Sequence, residues 1–260
     1  MDGTILNEKH ELNDYTIEVI QQVEKQGLTI LLATGRMISA VTKHLSLLGT
    51  SGLVVSHNGA LVKDVYNNKV YLHHTVPSQV VDRVLSLHNE QKFVLHVNVD
   101  DDVYVNRENT LSKKYAKELG IELSYISDYK NIHSNPTSIL LLQSKEKLEL
   151  ILNDLQMHYP NTFDYVLIPW SKGIWMLQFL PINTSKGKAV LETARQLNIN
   201  PEEIISFGDS YNDLEMIQHT GLGVAMGNAC DELKDIADYI TKLNSEDGVA
   251  YVLEELIKND

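Results

Sequence analysis

Short apolar runs that end in polar turns recur along this chain, and a stretch with helical spacing of apolar residues follows each of them. Leu28–Ala33 ends at a Thr-Gly-Arg turn, and Ile204–Phe207 ends at a Gly-Asp turn. Runs this short and uninterrupted are typical of strands that are covered on both faces of a parallel sheet. Because strands that alternate with helices form βαβ units, the pattern predicts an α/β fold with a doubly wound parallel sheet.

The first 75 residues are predicted to hold two helices, two parallel strands and a hairpin. Asn13 is expected to cap the first helix, which Gly27 closes. The second helix should run from Met37 to Leu48, because Gly49 follows it. Turn signals rich in Asn and Gly then indicate the hairpin. The predicted strands of this stretch are Leu28–Ala33, Leu53–Ser56, Ala60–Val62 and Val70–Leu72.

The alternation is interrupted in the middle of the chain. Between about Val76 and Phe179, helical patterns stand among strand-like runs such as FVLHV and SILLL, and we expect a separate α/β insert there. A chain of 260 residues is near the length at which a single core stops growing. After Pro181 the alternation resumes, with a helix at Ser185. We therefore predict a core formed by residues 1–75 and 181–260, with an inserted domain at residues 76–180.

The net charge argues against two classes of partner. The chain has 22 Lys and Arg residues against 35 Asp and Glu residues, a formal charge of −13, which disfavours nucleic acid and anionic membrane surfaces. Its apolar runs fall short of the roughly 20 residues that span a bilayer, the N-terminus lacks a signal-peptide pattern, and Cys230 is the only cysteine. We therefore expect a cytoplasmic protein in which a metal ion or a few cations neutralise any bound anion.

The strongest candidate site follows the predicted strand Ile204–Phe207. Its turn presents the carboxylates of Asp209 and Asp213 and the amide of Asn212. Ligands bind at the carboxyl ends of strands in open parallel sheets, and Mg²⁺ favours one or two carboxylates together with water and phosphate oxygens. The turn therefore predicts a magnesium site. The alternative is that Ser210 or Asn212 simply caps the next helix.

Two further turns offer groups that bind phosphate. Thr34, Gly35 and Arg36 follow Leu28–Ala33 with a hydroxyl, a flexible backbone N–H and a guanidinium, which are groups that cradle phosphate oxygens. Lys186 opens a predicted helix, where its charge could stabilise a transferring phosphoryl group. Taken alone, the first turn is more typical of an ordinary strand-to-helix connection, and Lys186 is as typical of a solvated helix end.

With the first residues, Met1-Asp2-Gly3-Thr4, these turns form an order of motifs that resembles the haloacid dehalogenase superfamily. The motifs are, in chain order, Met1-Asp2-Gly3-Thr4, Thr34-Gly35-Arg36, Lys186 and Gly208-Asp209-Ser210-Tyr211-Asn212-Asp213. Three more stretches resemble signatures of the Cof-like, type IIB capped members, namely Asn58-Gly59-Ala60, Met226-Gly227-Asn228-Ala229 and residues 244–250. The resemblance covers the whole chain. It implies a Rossmann-like core and an inserted α/β cap of type C2 that closes over the site.

Carried over to this chain, the resemblance implies a Mg²⁺-dependent phosphatase. Asp2 would act as general acid and base, and its backbone carbonyl would reach the metal. Lys186 would hold the phosphoryl group and the nucleophile in place. The implied phosphate- or substrate-binding residues are Thr34, Gly35, Arg36, Asn58, Lys186 and Asn212. The implied metal residues, as ligands or as groups that orient ligands, are Asp2, Asp209, Asn212 and Asp213.

In the superfamily the nucleophile is the first aspartate of an Asp-x-Asp-Gly-Thr motif, and Met1 stands at the x position. The strand that carries this aspartate lies mid-sheet in the family fold. Without it, backbone groups of the neighbouring strands would be left unpaired at a cost in stability. We therefore expect Met1 to be an internal methionine of a longer natural protein. The competing hypothesis is a protein that binds phosphate or metal without turnover.

The sequence does not select the phosphate ester. The resemblance implies a small phosphorylated metabolite, such as a sugar phosphate, and a monomer or a weak homodimer. A phosphomutase of the same superfamily is a further hypothesis. Free phosphate as the product would indicate the phosphatase, and an isomeric sugar phosphate would indicate the mutase.

Overall fold

The computed structural model describes residues 1–259, which form two compact units. The first unit combines Met1–Leu72 with the chain from Ser185 onward, and the second is His73–Thr184. Within residues 1–259, the helices are too short or too polar to span a lipid bilayer.

The helices and strands of the described chain, in order, are α1 (Asp14–Lys25), β1 (Leu31–Ala33), α2 (Thr42–Leu48), β2 (Leu53–Ser56), β3 (Leu61–Asp64), β4 (Val70–His73), α3 (Ser78–Gln91), β5 (Val94–Val99), β6 (Asp102–Val105), α4 (Thr110–Leu119), β7 (Ser124–Tyr125), β8 (Ser138–Gln143), α5 (Lys145–His158), β9 (Phe163–Ser171), β10 (Ile174–Pro181), α6 (Lys186–Gln196), β11 (Ile205–Gly208), α7 (Leu214–His219), β12 (Leu222–Ala225), α8 (Asp231–Ile236), β13 (Tyr239–Ile240) and α9 (Gly248–Asn259). Short 3-10 helices occur at His57–Gly59, Tyr129–Asn131, Pro201–Glu203, Tyr211–Asp213 and Asn244–Glu246.

The predicted α/β fold with a parallel-sheet core is confirmed. In the first unit, β1 pairs in parallel with β2, with Leu31 opposite Leu53, and β11, β12 and β13 are mutually parallel. The hairpin strands β3 and β4 extend the first set, which gives the order β1-β2-β3-β4. The second set has the order β11-β12-β13. In the described chain, β1 and β11 are therefore each the edge strand of a hydrogen-bonded sheet.

Two helix or strand boundaries differ from the sequence prediction by three residues or more, and the others by at most two. The strand predicted from Leu28 begins at Leu31, and Leu28 is 42% exposed. The helix predicted from Met37 begins at Thr42. The Arg36 carbonyl accepts a hydrogen bond from the His57 backbone N–H at 3.0 Å, so the chain after β1 bonds to the neighbouring loop instead of starting a helix.

Asn13 precedes α1 as predicted but does not cap it with its side chain. Its amide nitrogen donates to Asp247 Oδ1 at 2.9 Å instead. Asp247 also accepts from the Thr16 hydroxyl at 2.6 Å. These bonds attach α1 to the turn before α9. Because the side chain of Asn13 is used in this tertiary contact, it does not cap α1.

The second unit is an α/β structure with its own core. Its six strands have the order β7-β6-β5-β8-β10-β9. The neighbouring strands β5, β8, β10 and β9 are antiparallel, whereas β6 and β7 are parallel. Apolar residues of this sheet and of α3 and α5 form one buried cluster, which includes Phe93, Ile139, Leu155 and Phe179. This cluster gives the second unit a hydrophobic core separate from those of the first unit.

Leucines on α5 provide a matched test of this core. Leu155 is fully buried, whereas Leu150 on the same helix is 68% exposed. Leu155→Ala should lower the free energy of unfolding by about 2–5 kcal/mol, and Leu150→Ala should change it by less than about 0.5 kcal/mol. Both tryptophans, Trp170 and Trp175, lie in the second unit, so urea unfolding followed by tryptophan fluorescence reports on this unit. Equal effects of the two substitutions would contradict the described core.

Candidate active site

The turn after β11 is organised around the buried carboxylate of Asp213. Asp213 Oδ2 accepts the backbone N–H groups of Asp209 at 3.1 Å and Ser210 at 3.2 Å. A Cβ atom at Gly208 would lie 2.6 Å from the Asp213 Cβ, a distance that real Cβ atoms do not reach. Glycine at this position therefore allows the carboxylate to fold back under the turn, which fixes the direction of the Asp209 backbone.

Lys186 is the ion-pair partner of Asp213. Its Nζ donates to Asp213 Oδ1 at 2.8 Å, and the two residues are 5% and 3% exposed. Burial alone raises the pKa of Asp213, but the charge and hydrogen bond of Lys186 outweigh it and hold the pKa below its usual range. Lys186 is the first residue of α6, which Ser185 caps by accepting from the Lys188 N–H at 3.1 Å. The lysine is thus a buried partner in the site and not a solvated helix end.

Asp209 lies at the end of β11 without a side-chain cation as a partner among residues 1–259. Its Oδ1 accepts from the Thr4 hydroxyl at 2.6 Å. Burial raises the pKa of Asp209, and the Thr4 hydrogen bond opposes the rise only in part. Gly3 has φ +67°, and a Cβ there would lie 2.4 Å from Asp209 Oδ2. The Gly-Thr pair of the first loop therefore holds a carboxylate that forms no ion pair with a side chain of the described residues.

Asp2 forms an ion pair with Arg36. Its carboxylate accepts from Arg36 Nε at 2.8 Å and from Arg36 Nη2, and His10 Nδ1 lies 3.0 Å from Asp2 Oδ1. Burial by itself raises the pKa of Asp2, but the hydrogen bonds and charge of Arg36 outweigh it and hold the pKa below its usual range. Arg36 was predicted to contact phosphate. In the structure its guanidinium binds Asp2, so that role stays a prediction.

The loops after β1, β2 and β11 meet through hydrogen bonds. The buried Thr34 accepts the Asn58 backbone N–H at its carbonyl, at 3.0 Å, and the Arg36 N–H at its hydroxyl, at 3.0 Å. Asn58 is buried in a left-handed conformation, with φ 54°, and its Oδ1 accepts from Asn212 Nδ2 at 2.9 Å. Gly35 lies against the Asn58 amide group. The structure therefore brings the predicted phosphate-binding residues of all three loops to one place.

Sequence reasoning gave no role to three residues that shape the site. Asn228 Nδ2 donates to the Gly3 carbonyl at 2.8 Å, and Asn244 Nδ2 donates to the Leu6 carbonyl at 2.8 Å. Asn228 and Asn244 are joined by the Asn244 N–H, 2.9 Å from Asn228 Oδ1. The two asparagines belong to motifs noted in the sequence, but only the fold shows that they anchor the first loop. His10, in a polar turn, carries no sequence signal that would have found it.

The donor set of the site fits a hard divalent cation with few protein ligands. No group of three His, Cys, Asp or Glu side chains within residues 1–259 could hold a metal by itself. Asp209 is a carboxylate with a raised pKa, and Asn212 Oδ1 is a buried oxygen without a hydrogen-bond partner in the described chain. Both are oxygen donors of the kind that Mg²⁺ binds along with water. Both oxygens of Asp213 are occupied, which suits Asp213 to orienting the site.

The buried ion pair yields a stability prediction. Lys186→Met leaves the Asp213 carboxylate buried without its partner, which should lower the free energy of unfolding by roughly 3–5 kcal/mol. Lys188→Met, at an exposed position on the same helix, is the matched control and should have little effect. The double variant Lys186→Met/Asp213→Asn should recover part of the loss. Chemical unfolding followed by circular dichroism measures these three variants and Asp213→Asn alone. A double variant as unstable as the sum of Lys186→Met and Asp213→Asn would contradict the pairing.

Comparison with known proteins places this geometry in a family. The family model of haloacid dehalogenase-like hydrolases matches residues 1–253. Phosphatase YwpJ of Bacillus subtilis is 30% identical over 285 aligned positions, which cover 99% of this chain and 98% of the relative. The 5-amino-6-(5-phospho-D-ribitylamino)uracil phosphatase YitU of the same organism is 26% identical, covering 98% of this chain and 94% of the relative.

A solved structure supports the same assignment. The crystal structure of a haloacid dehalogenase-like hydrolase from Bacteroides thetaiotaomicron matches with a TM-score of 0.89 and 25% identity, covering 98% of this chain and 96% of that chain. The sequence match and the fold match thus both span nearly the whole chain. The chain belongs to the family of haloacid dehalogenase-like hydrolases.

Proposed function

We propose that this protein is a Mg²⁺-dependent phosphatase that hydrolyses small phosphate monoesters through an aspartyl-phosphate intermediate. The observation that carries the proposal is the meeting of Thr34, Asn58 and Asn212 from three loops beside the buried Lys186–Asp213 pair. Relatives named as phosphatases support the reaction class.

The phosphoryl group is held by a hydroxyl, a backbone amide and an ammonium group in this proposal. The Thr34 hydroxyl and the Gly35 N–H lie at the carboxyl end of β1, where a ligand binds in an open parallel sheet. Lys186 adds a positive charge that is fixed in place by Asp213. A charge that is already oriented stabilises the transition state without reorganisation during the reaction. These residues therefore bind and orient the phosphoryl group.

The proposed chemistry has two steps. A carboxylate oxygen attacks phosphorus, the ester P–O bond breaks, and Asp2 gives its proton to the leaving alkoxide. Asp2 then takes a proton from water, which attacks phosphorus, releases phosphate and restores the carboxylate. The attacking carboxylate in this proposal is the first aspartate of the family motif Asp-x-Asp-Gly-Thr, in which Asp2 is the second. Arg36 and His10 hold the Asp2 carboxylate at a fixed place, and the proton that Asp2 gives to the alkoxide enters the site on the monoanion of the phosphate ester.

The residues proposed to hold Mg²⁺ are Asp209, the backbone carbonyl of Asp2 and, directly or through water, Asn212. When bound, the ion neutralises charge on the phosphoryl oxygens. Asp213 positions these ligands through the turn after β11. The raised pKa of Asp209 supports this assignment, because a nearby cation would offset the cost of its buried charge.

The second unit is proposed to act as the cap that selects the substrate, with a small phosphorylated metabolite as the ligand class. The relative YitU is named as a 5-amino-6-(5-phospho-D-ribitylamino)uracil phosphatase. A sugar phosphate or similar metabolite is therefore the first substrate class to test.

Hydrolysis of p-nitrophenyl phosphate with Mg²⁺ tests the proposal. The 260-residue chain is compared with a chain extended by the residues encoded before Met1, and activity is expected only in the extended form. In that form Asp2→Asn should lower kcat by about 10²–10⁴-fold. The matched control Asp82→Asn, at an exposed position on α3, should leave kcat unchanged.

Other outcomes of this assay would indicate a different function. An isomeric product from a sugar phosphate, without free phosphate, would indicate a phosphomutase. Folded protein that binds metal or phosphate but turns over nothing in either form would reject the enzyme and indicate a non-catalytic binding protein.

A further inference from the structure

The strand β13 forms an exposed apolar edge of the first unit. It is the last strand in the order β11-β12-β13, and in the described chain it pairs only with β12. The exposed large apolar side chains in residues 236–243 are Ile236, Tyr239, Ile240 and Leu243. Single exposed apolar residues are ordinary, whereas a contiguous group of them marks an interaction surface. Residues 236–243 are called the β13 edge below.

The backbone of β13 offers hydrogen-bonding groups at this edge. The Thr241 N–H donates to the Ala225 carbonyl of β12 at 2.9 Å. Neighbouring residues of a strand direct their backbone groups to opposite sides, so the N–H and C=O of Ile240 point away from β12. The Ile240 side chain is 50% exposed as well. Outward backbone groups on an edge strand are a template for pairing with another chain.

Two opposite charges flank Ile240 at equal distance along the chain. Asp238 lies two residues before it and Lys242 two residues after it, and both are exposed. The position of the Asp238 carboxylate is fixed, because its Oδ2 accepts from the Gly223 N–H at 2.8 Å. Lys242 Nζ lies 3.8 Å from the centre of the Tyr251 ring, at the end of a flexible side chain. The β13 edge therefore presents a fixed anion and a mobile cation on either side of Ile240.

This pattern is complementary to itself when two copies run antiparallel. With Ile240 opposite Ile240, Asp238 of each copy lies opposite Lys242 of the partner subunit, so the ion pair forms twice. The outward groups of the two Ile240 residues then exchange two hydrogen bonds. Opposite charges placed directly across two strands stabilise the pair, and like charges destabilise it. A parallel pair in register would place like charges side by side, so the charges select the antiparallel arrangement.

The same arrangement covers apolar side chains of the β13 edge. Leu243 lies opposite Ala237 of the partner subunit, next to its Ile236. An antiparallel pair of this kind has two-fold symmetry and closes after two copies. Two chains with a formal charge of −13 repel each other at long range, so a contact between copies requires local attraction. The two ion pairs and the apolar contacts supply it over a small area, which is typical of a weak association.

We propose that two copies of this chain form a weak homodimer by antiparallel pairing of their β13 edges around Ile240. The dimer is independent of the proposed phosphatase activity, because it uses none of the residues assigned to the catalytic site.

Sedimentation equilibrium of the 260-residue chain tests this inference, together with a charge exchange. The original chain should dimerise with a Kd between about 1 μM and 1 mM. Lys242→Glu and Asp238→Lys should each raise the Kd at least tenfold, because each places like charges opposite one another. An equimolar mixture of the two variants should recover dimers, since a mixed pair regains both opposite-charge contacts.

A second variant covers the case in which Asp238→Lys fails to fold, which circular dichroism detects, because this change removes the acceptor of the Gly223 N–H. Ile240→Lys leaves that bond in place and brings two lysines together on the two-fold axis, so the Kd should again rise at least tenfold. The matched control is Val70→Lys, at a position on β4 that is 52% exposed. It should leave the Kd unchanged.

Three results would overturn the proposed dimer. The first is a chain that stays monomeric up to about 1 mM. The second is a dimer with the same Kd after Lys242→Glu and Ile240→Lys, which would place the interface elsewhere on the molecule. The third is a mixture of folded Lys242→Glu and Asp238→Lys chains that associates no more tightly than either variant alone, which would reject the antiparallel register.

Discussion

The buried ion pair between Lys186 and Asp213 is the interaction on which the geometry of the site depends. A carboxylate and an ammonium group taken out of water are stable only if their remaining hydrogen-bonding groups are also satisfied. Asp213 meets this condition by binding Lys186 with one oxygen and two backbone N–H groups with the other. The same bonds that satisfy Asp213 therefore fix the turn after β11, and the turn sets the positions of Asp209 and Asn212.

The charges of the site differ in how they are compensated. Arg36 neutralises Asp2, and Lys186 neutralises Asp213. Asp209 has only the Thr4 hydroxyl as a side-chain partner among residues 1–259, and its pKa is raised by burial. Asp209 is partly buried at the end of β11 and forms no ion pair with a side chain of the described residues, so the proposed divalent cation would offset the cost of its charge. Binding of the metal and of the phosphate would thus reinforce each other.

Much of this arrangement could be predicted from the sequence, because it depends on local patterns. Apolar runs marked the parallel strands, and their polar ends marked the loops that hold Thr34, Lys186 and Asp209. The features that could not be predicted from the sequence depend on contacts between segments that are distant along the chain. The late start of α2 results from the bond between Arg36 and His57. The partner of Arg36 and the anchoring of the first loop by Asn228 depend on the tertiary fold as well.

The central claim is that Asp209 belongs to a magnesium site, and thermal unfolding of the chain with and without Mg²⁺ tests it most directly. Because the folded-state pKa of Asp209 is raised, its contribution to stability is lost as the pH rises through that value. Asp209→Asn should therefore unfold at the same or a higher temperature than the original chain at pH 7 without metal. Mg²⁺ at 100 times its Kd should stabilise the original chain by about 2.7 kcal/mol and leave the variant unchanged. An equal response of both proteins to Mg²⁺ would contradict the account.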